Sequence, residues 1–299
     1  MTGPRRDTRG IVDARELLAR VRFRRRAPAP ALRPYLEHYW LIDWDLTEPY
    51  ASHVVPHPSV NVVFQQYGDE PARAEVAGIG LELFTRKLAG RGRVCGIQFR
   101  PGGFRPFAPR RPVSDWTGRR LPIGDVLLPD ADESALRATV SAVVGPEEDD
   151  ARVAALDTFL LDLDPQPDPQ AERAMELVSR IRNDRSVRRV AGLAATEGLS
   201  ARSLQRLFAT YVGVGPKWVI LRYRIHEALE RAEQAGGPSG SPEDGLVGGP
   251  AGGPVGGPAG GVDWAALADE LGYSDQAHLV RDFTATVGVP PSAYARSER

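Results

Sequence analysis

Two stretches decide the fold of this chain: Val190–Pro216, VAGLAATEGLSARSLQRLFATYVGVGP, and Trp264–Pro291, WAALADELGYSDQAHLVRDFTATVGVPP. They carry one helical pattern written twice. In the first, Val190, Leu193 and Ala194 precede Gly198, and Leu204, Phe208, Gly213 and Pro216 follow. In the second, Trp264, Leu267 and Ala268 precede Gly272, and Leu279, Phe283, Gly288 and Pro291 follow, with one extra residue just after the first glycine. Apolar residues at helical spacing, a glycine turn and a second short helix with an i, i+4 apolar pair describe a helix-turn-helix. Two in tandem, each with Arg and Gln on the outer face of its second helix, describe a reader of double-stranded DNA.

The outer faces supply the candidate contacts. In the first copy Ser200 is a good N-cap, Leu204, Leu207 and Phe208 form the packed face, and Arg202, Gln205 and Arg206 share the opposite one. Arginine pairs with two acceptors on guanine, and glutamine with the acceptor and donor on adenine. In the second copy Asp275 is the cap, and Gln276, Ala277, Val280 and Arg281 face outward. That surface is less polar and should specify less, although Val280 suits a thymine methyl. A single amphipathic helix with an Arg/Gln face is as readily an ordinary solvated helix; the repetition favours the DNA reading.

Charge is segregated in the same sense. The net charge of −1 averages two opposed regions. From Arg173 to Arg224 eleven basic residues face three acidic ones, a balance of +8; from Ile225 onward four face eleven, a balance of −7. The first helix-turn-helix therefore lies in a field favourable to phosphate and the second does not.

The chain's 299 residues suffice for two domains. One cysteine, Cys95, excludes an internal disulfide and fits a reducing, cytoplasmic setting, and no apolar run reaches the length of a membrane span. Residues 1–27 are Arg-rich and read as a disordered tail. Residues 28–163 read as a β domain, with His53–Phe64, Glu75–Ile79 and Arg93–Phe99 as its clearest strands and Arg100–Gly103 as a turn. A helical hairpin over 132–144 and 150–163 closes it. Residues 164–170 are a Pro-rich linker, and 171–299 form the helical DNA-binding domain. Residues 235–261 are a Gly/Pro-rich insert, too poor in apolar side chains to fold, which lengthens a loop at modest cost.

From about Ser179 to Tyr294 the chain resembles the AraC-type family of bacterial transcriptional regulators. GLSARSLQRLF…GVGPKWVILRYRIHEAL is similar to that family's first helix-turn-helix and connecting helix, and ALADELGYSDQAHLVRDF…GVPPSAY to its second. By position, the resemblance nominates Arg202, Gln205, Arg206, Gln276, Ala277, Val280 and Arg281 for DNA contact. The insert at 235–261 departs from the family pattern and puts the register between the two units in question. Residues 28–160, through PALRPYLEHYWLIDWDL, SHVVPHPSVNVVFQ and VCGIQFRPGGFRPF, resemble the cupin-like sensory domain of one branch of that family. The fold class so implied is α+β: a cupin-like β-barrel with a helical hairpin, then an all-α double helix-turn-helix domain. The resemblance implies a small-molecule effector, a second copy of the chain and RNA polymerase as further partners. It does not identify the effector's residues.

Other chemistry is weaker. His53 and His57, with His38, are candidate metal ligands, but i, i+4 on a strand separates their side chains by about 13 Å, too far for one ion; no metal or cofactor is expected. Cys95 as an alkyl-accepting nucleophile is one rival, an enzyme reading. It lies in an apolar strand, where a buried small hydrophobe is the default. Tyr35, Tyr39, Trp40 and Trp44 are candidates for a ligand pocket or for core, and Arg100 and Arg105 for an anion site or a surface turn. The other rival is an interaction module with weak, non-specific DNA binding, prompted by the acidic second unit.

Overall fold

The computed structural model describes residues 10–236 and 262–297. In chain order its elements are β1 (Ile11–Val12), α1 (Ala14–Arg20), β2 (Arg22–Arg26), β3 (Leu36–Val54), β4 (Asn61–Tyr67), β5 (Arg73–Ala77), β6 (Phe84–Phe99), β7 (Arg120–Pro122), α2 (Ile123–Val126), α3 (Glu133–Val144), α4 (Asp149–Asp162), α5 (Pro169–Asn183), α6 (Val190–Thr196), α7 (Ala201–Tyr211), α8 (Pro216–Gly236), α9 (Trp264–Glu270), α10 (Gln276–Val287) and α11 (Pro291–Ser297). The class is α+β, an antiparallel β domain followed by helices. The chain divides into two compact units, Met1–Tyr223 and Arg224–Arg299.

The first unit is built on one seven-stranded antiparallel sheet in the order β1-β3-β6-β4-β5-β7, with β2 also paired to β3. The long strands β3 and β6 form its spine, paired from Leu36/Phe99 to Val54/Phe84, and a register shift between Leu46 and Tyr50 bends them. The expected strand His53–Phe64 is two strands: β3 ends at Val54 and β4 starts at Asn61. Pro56 and Pro58 lie between, and neither has an N–H to give to a ladder.

Residues 10–26, expected as part of a disordered tail, are ordered. β2 pairs along β3 from Arg22/Asp43 to Arg26/Tyr39, and its arginines have long-range partners. Arg24 reaches both Asp43 and Asp149, and Arg26 reaches Asp150. Around them lies a charged seam that fixes the helical hairpin to the sheet. The guanidinium of Arg152, 1% exposed, donates to both carboxylate oxygens of Asp43 at 3.0 and 3.1 Å and to the carbonyls of Pro146 and Glu147. Burial raises the Asp43 carboxyl, but hydrogen bonds from Arg93, Arg24 and Arg152 outweigh it and hold the group below its ordinary value.

The hairpin itself, α3 and α4, falls where the periodicity placed it. Asp132 caps α3 by accepting from the Ala135 N–H at 2.8 Å. The unit boundary does not fall at the Pro-rich linker 164–170. One apolar core runs from the sheet (Leu41, Phe64, Ile97) through Val113 and Trp116 into α5, α6 and α7 (Leu177, Leu193, Phe208). The division falls inside α8, so the first helix-turn-helix belongs to the same compact unit as the β domain. The expected insert 235–261 lies almost entirely outside the described residues.

Candidate nucleic-acid interface

The repeat read from the sequence is reproduced in the backbone. α6 and α9 bury Leu193/Ala194 and Leu267/Ala268; α7 and α10 bury Leu204/Phe208 and Leu279/Phe283. Between them, Gly198 and Gly272 adopt left-handed φ of 64° and 71°, which a side chain resists and glycine does not. The turn hydrogen bonds match as well. Leu199 N–H donates to the Ala194 carbonyl at 2.9 Å, and Tyr273 N–H to the Ala268 carbonyl at 2.8 Å. Each is the 6→1 bond of a Schellman-type stop. The second helices start on side-chain caps: Ser200 accepts from Ser203 N–H at 3.0 Å and Asp275 from His278 N–H at 2.7 Å. Both copies are helix-turn-helix units in geometry.

In the first unit, Arg202, Gln205 and Arg206 are exposed on α7, opposite the buried Leu204 and Phe208. None has a hydrogen bond or ion pair among the described residues, so their donors are available to a partner. Arg189, the N-cap residue of α6, and Lys217, in the first turn of α8, are exposed and likewise uncommitted; sequence reasoning counted their charge without singling them out. Other arginines of the basic segment are spent internally. Arg173 and Arg180 both pair with Glu197, whose side chain is 5% exposed at the turn between α6 and α7, and Arg182 pairs with Glu37. Glu197 thus ties the turn to α5.

A second set of contacts holds the far end of α7 to the β domain. The Thr117 hydroxyl donates to the Gly213 carbonyl at 2.7 Å. Arg105 lies over the Tyr211 ring at 5.0 Å and reaches Asp168, the residue whose carboxylate caps α5, at 3.4 Å. Arg105 is therefore a strut between the β domain and α7, and exposed Arg100 donates to the Leu36 carbonyl at 3.1 Å, whereas the turn after it, Pro101–Gly103, expected at the surface, is buried.

In the second unit, Gln276, Ala277 and Arg281 are exposed and Val280 is half-buried on α10. Trp264 and Tyr294 both pack their rings on Phe283, at 6.2 and 5.9 Å between centroids. The electrostatic setting differs from the first unit. The His278 backbone N–H holds the Asp275 carboxyl below the usual carboxylate range, so the start of α10 carries a fixed negative charge where α7 carries a neutral serine. A phosphate approaching that helix start is attracted by the helix dipole and repelled by its cap.

The weaker candidates resolve into structure. Cys95 is fully buried with its Sγ 4.0 Å from the Val143 carbonyl, and burial pushes its thiol up to about 11. A thiol so placed is neither ionised nor reachable at neutral pH. His53 shares a 2.9 Å hydrogen bond with Thr85 on the paired strand, and no group of three or more His, Cys, Asp or Glu residues is placed to hold a metal among the described residues. Tyr39, its hydroxyl donating to Asp157 at 2.7 Å, and Trp44, packed on Tyr67, are core; half-buried Tyr35, edge-on to Phe107, and Trp40, donating to Asn61 at 3.3 Å, pack against it. No described helix is long and apolar enough to cross a membrane.

Comparison with known proteins adds the following. Residues 24–122 match the family model described as a domain of unknown function, DUF6597, about a third of the chain. No curated protein matches the sequence. Among solved structures, ToxT from Vibrio cholerae is 12% identical, with 86% of this chain and 97% of that one covered at a TM-score of 0.39. ToxT bound to (E)-4-(8-methylnaphthalen-1-yl)but-3-enoic acid is 13% identical, with 93% and 99% covered at a TM-score of 0.40.

Proposed function

We propose that this chain is a sequence-specific DNA-binding transcriptional regulator of the AraC type. In this reading α7 and α10 enter major-groove segments, and the β domain adjusts affinity in response to a small effector. The observation that carries the reading is the matched pair of helix-turn-helix units, alike in turn geometry, caps and buried residues. Each second helix leaves a polar or thymine-compatible face in solvent.

The uncommitted side chains define the division of labour. Arg202, Gln205 and Arg206 serve as the principal base-reading set, with Arg189 and Lys217 on phosphate. Gln276, Ala277, Val280 and Arg281 add a weaker set. A second copy of the chain and RNA polymerase are the protein partners this function calls for. Cys95 supplies no accessible nucleophile for the alkyl-acceptor alternative.

The test is a binding titration of the full chain on its own upstream DNA and on scrambled DNA at two salt concentrations. A preference of about a thousandfold or more that survives the higher salt is the expected result. Weak binding, equal on both DNAs and lost with salt, refutes sequence-specific regulation and leaves charge attraction alone.

A further inference from the structure

The segment that holds the end of α7 also walls a groove of about 540 Å³. Its accessible apolar surface comes from half-buried Leu121 and Val126, with Phe107, Trp116 and Leu127, all at least 94% buried, behind them. Its mouth carries three exposed arginines, Arg110, Arg111 and Arg119. Two carboxylates, Asp125 and Asp130, share the lining, and Asp130 lies 3.6 Å from Arg110. Arg119 donates to the Asp115 carbonyl at 3.3 Å, which leaves its charge uncompensated, and Arg111 has no hydrogen bond or ion pair among the described residues.

We infer that this groove binds a small organic mono-anion with a compact apolar body, that body against Leu121 and Val126 and its carboxylate at Arg111 and Arg119. The volume suits a single small ligand, and apolar side chains beside a few charged donors are the usual make-up of such sites. Three cations against two carboxylates leave one positive charge in excess, which matches one negative charge on the ligand. A purely apolar occupant leaves the arginines unused, and a polyanion meets Asp125 and Asp130.

The place of the groove gives binding a consequence. Trp116 is followed directly by Thr117, whose hydroxyl holds the Gly213 carbonyl at the exit of α7. An occupant that presses on Trp116 presses on the segment that anchors the first helix-turn-helix. The role of effector site rests on the regulatory reading above, whereas the binding itself does not.

The experiment is therefore calorimetric titration of the full chain, without DNA, with 4-tert-butylbenzoate and with its neutral amide. One-to-one binding of the acid near about 0.1 mM is expected, with the amide weaker by about tenfold. Arg111→Glu and Arg119→Glu should each weaken the acid by about tenfold, and Arg111→Lys much less. Arg137→Glu, on the exposed face of α3, serves as a control and should leave binding unchanged. These arginines are exposed, so the variants fold. No saturable binding at millimolar concentration, equal binding of acid and amide, or binding to either Glu variant as tight as to the unsubstituted chain each overturns the assignment. None of these outcomes bears on whether the chain binds DNA.

Discussion

Truncating Phe208 should weaken the β domain, although Phe208 lies in a helix-turn-helix. Its side chain is fully buried in the core that runs into Val113, Trp116 and the sheet. Phe208→Ala removes roughly 120 Å² of buried apolar surface, about 3 kcal/mol at about 25 cal/mol/Å². The cavity left behind raises the cost to about 4 kcal/mol. For a unit of this size that corresponds to a fall in Tm of roughly 10 °C. The matched variant, Phe283→Ala, should cost a similar amount within the other compact unit, where Phe283 packs on Trp264 and Tyr294. Hydrogen exchange resolved by peptide separates the two. Phe208→Ala should lower the protection of β3 and β6 amides, and Phe283→Ala should lower protection only in peptides of the second unit, 224–236 and 262–297. Full protection of β6 in Phe208→Ala would refute the single core drawn through the sheet and α7.

Further predictions concern charge and titration. Arg206→Ala should cost about 1–3 kcal/mol at the specific DNA site and relax preference at one base pair; an equal loss on every sequence would make Arg206 a phosphate contact. Glu197→Gln leaves Arg173 and Arg180 without their shared carboxylate and, as both arginines are partly exposed, should loosen α6 by about 1–2 kcal/mol, read as faster exchange at Leu199 and its neighbours. The Cys95 thiol is raised from 9.0 to about 11, so its contribution to stability is complete below pH 9 and lost as pH rises through 11. Iodoacetamide should leave Cys95 unmodified at pH 8 in the folded chain and modify it in denaturant. Asp43 has the opposite sign: its lowered pKa contributes stability above its ordinary value of 3.8 that is lost as pH falls through the folded value. Asp43→Asn should flatten the acid limb of the unfolding curve.

Local features of this fold were legible and long-range ones were not. The two helix-turn-helix units, the helical hairpin, and the caps Ser200 and Asp275 follow from spacing, because apolar period, glycine turn and cap lie within a few residues of each other. Arg22–Arg26 gave no such signal. RFRRR has no clean alternation, and what makes it a strand is pairing to β3 together with Asp149 and Asp150, more than 120 residues away. The attachment of α7 to the β domain was hidden for the same reason: Thr117 and Gly213 are 96 positions apart. The outward faces of α7 and α10 were legible from helical period: Arg202, Gln205, Arg206, Gln276, Ala277 and Arg281 are exposed and Val280 is half-buried. Arg189 and Lys217, equally uncommitted, were visible only once the ion pairs of their neighbours had been assigned.

The shared core of the first unit also sets an order of events during synthesis. The sheet leaves the ribosome well before α7, so the surface that receives Leu204 and Phe208 already stands when those residues emerge. A fragment starting near residue 170 keeps α5 and α6 against α7 but lacks Val113, Trp116 and the sheet, and the side of the core they cover turns toward water or toward another fragment. Deleting the amino-terminal half therefore does not release an independent reader; it exposes an adhesive apolar face, and clumping of such a fragment would say nothing about its affinity for DNA.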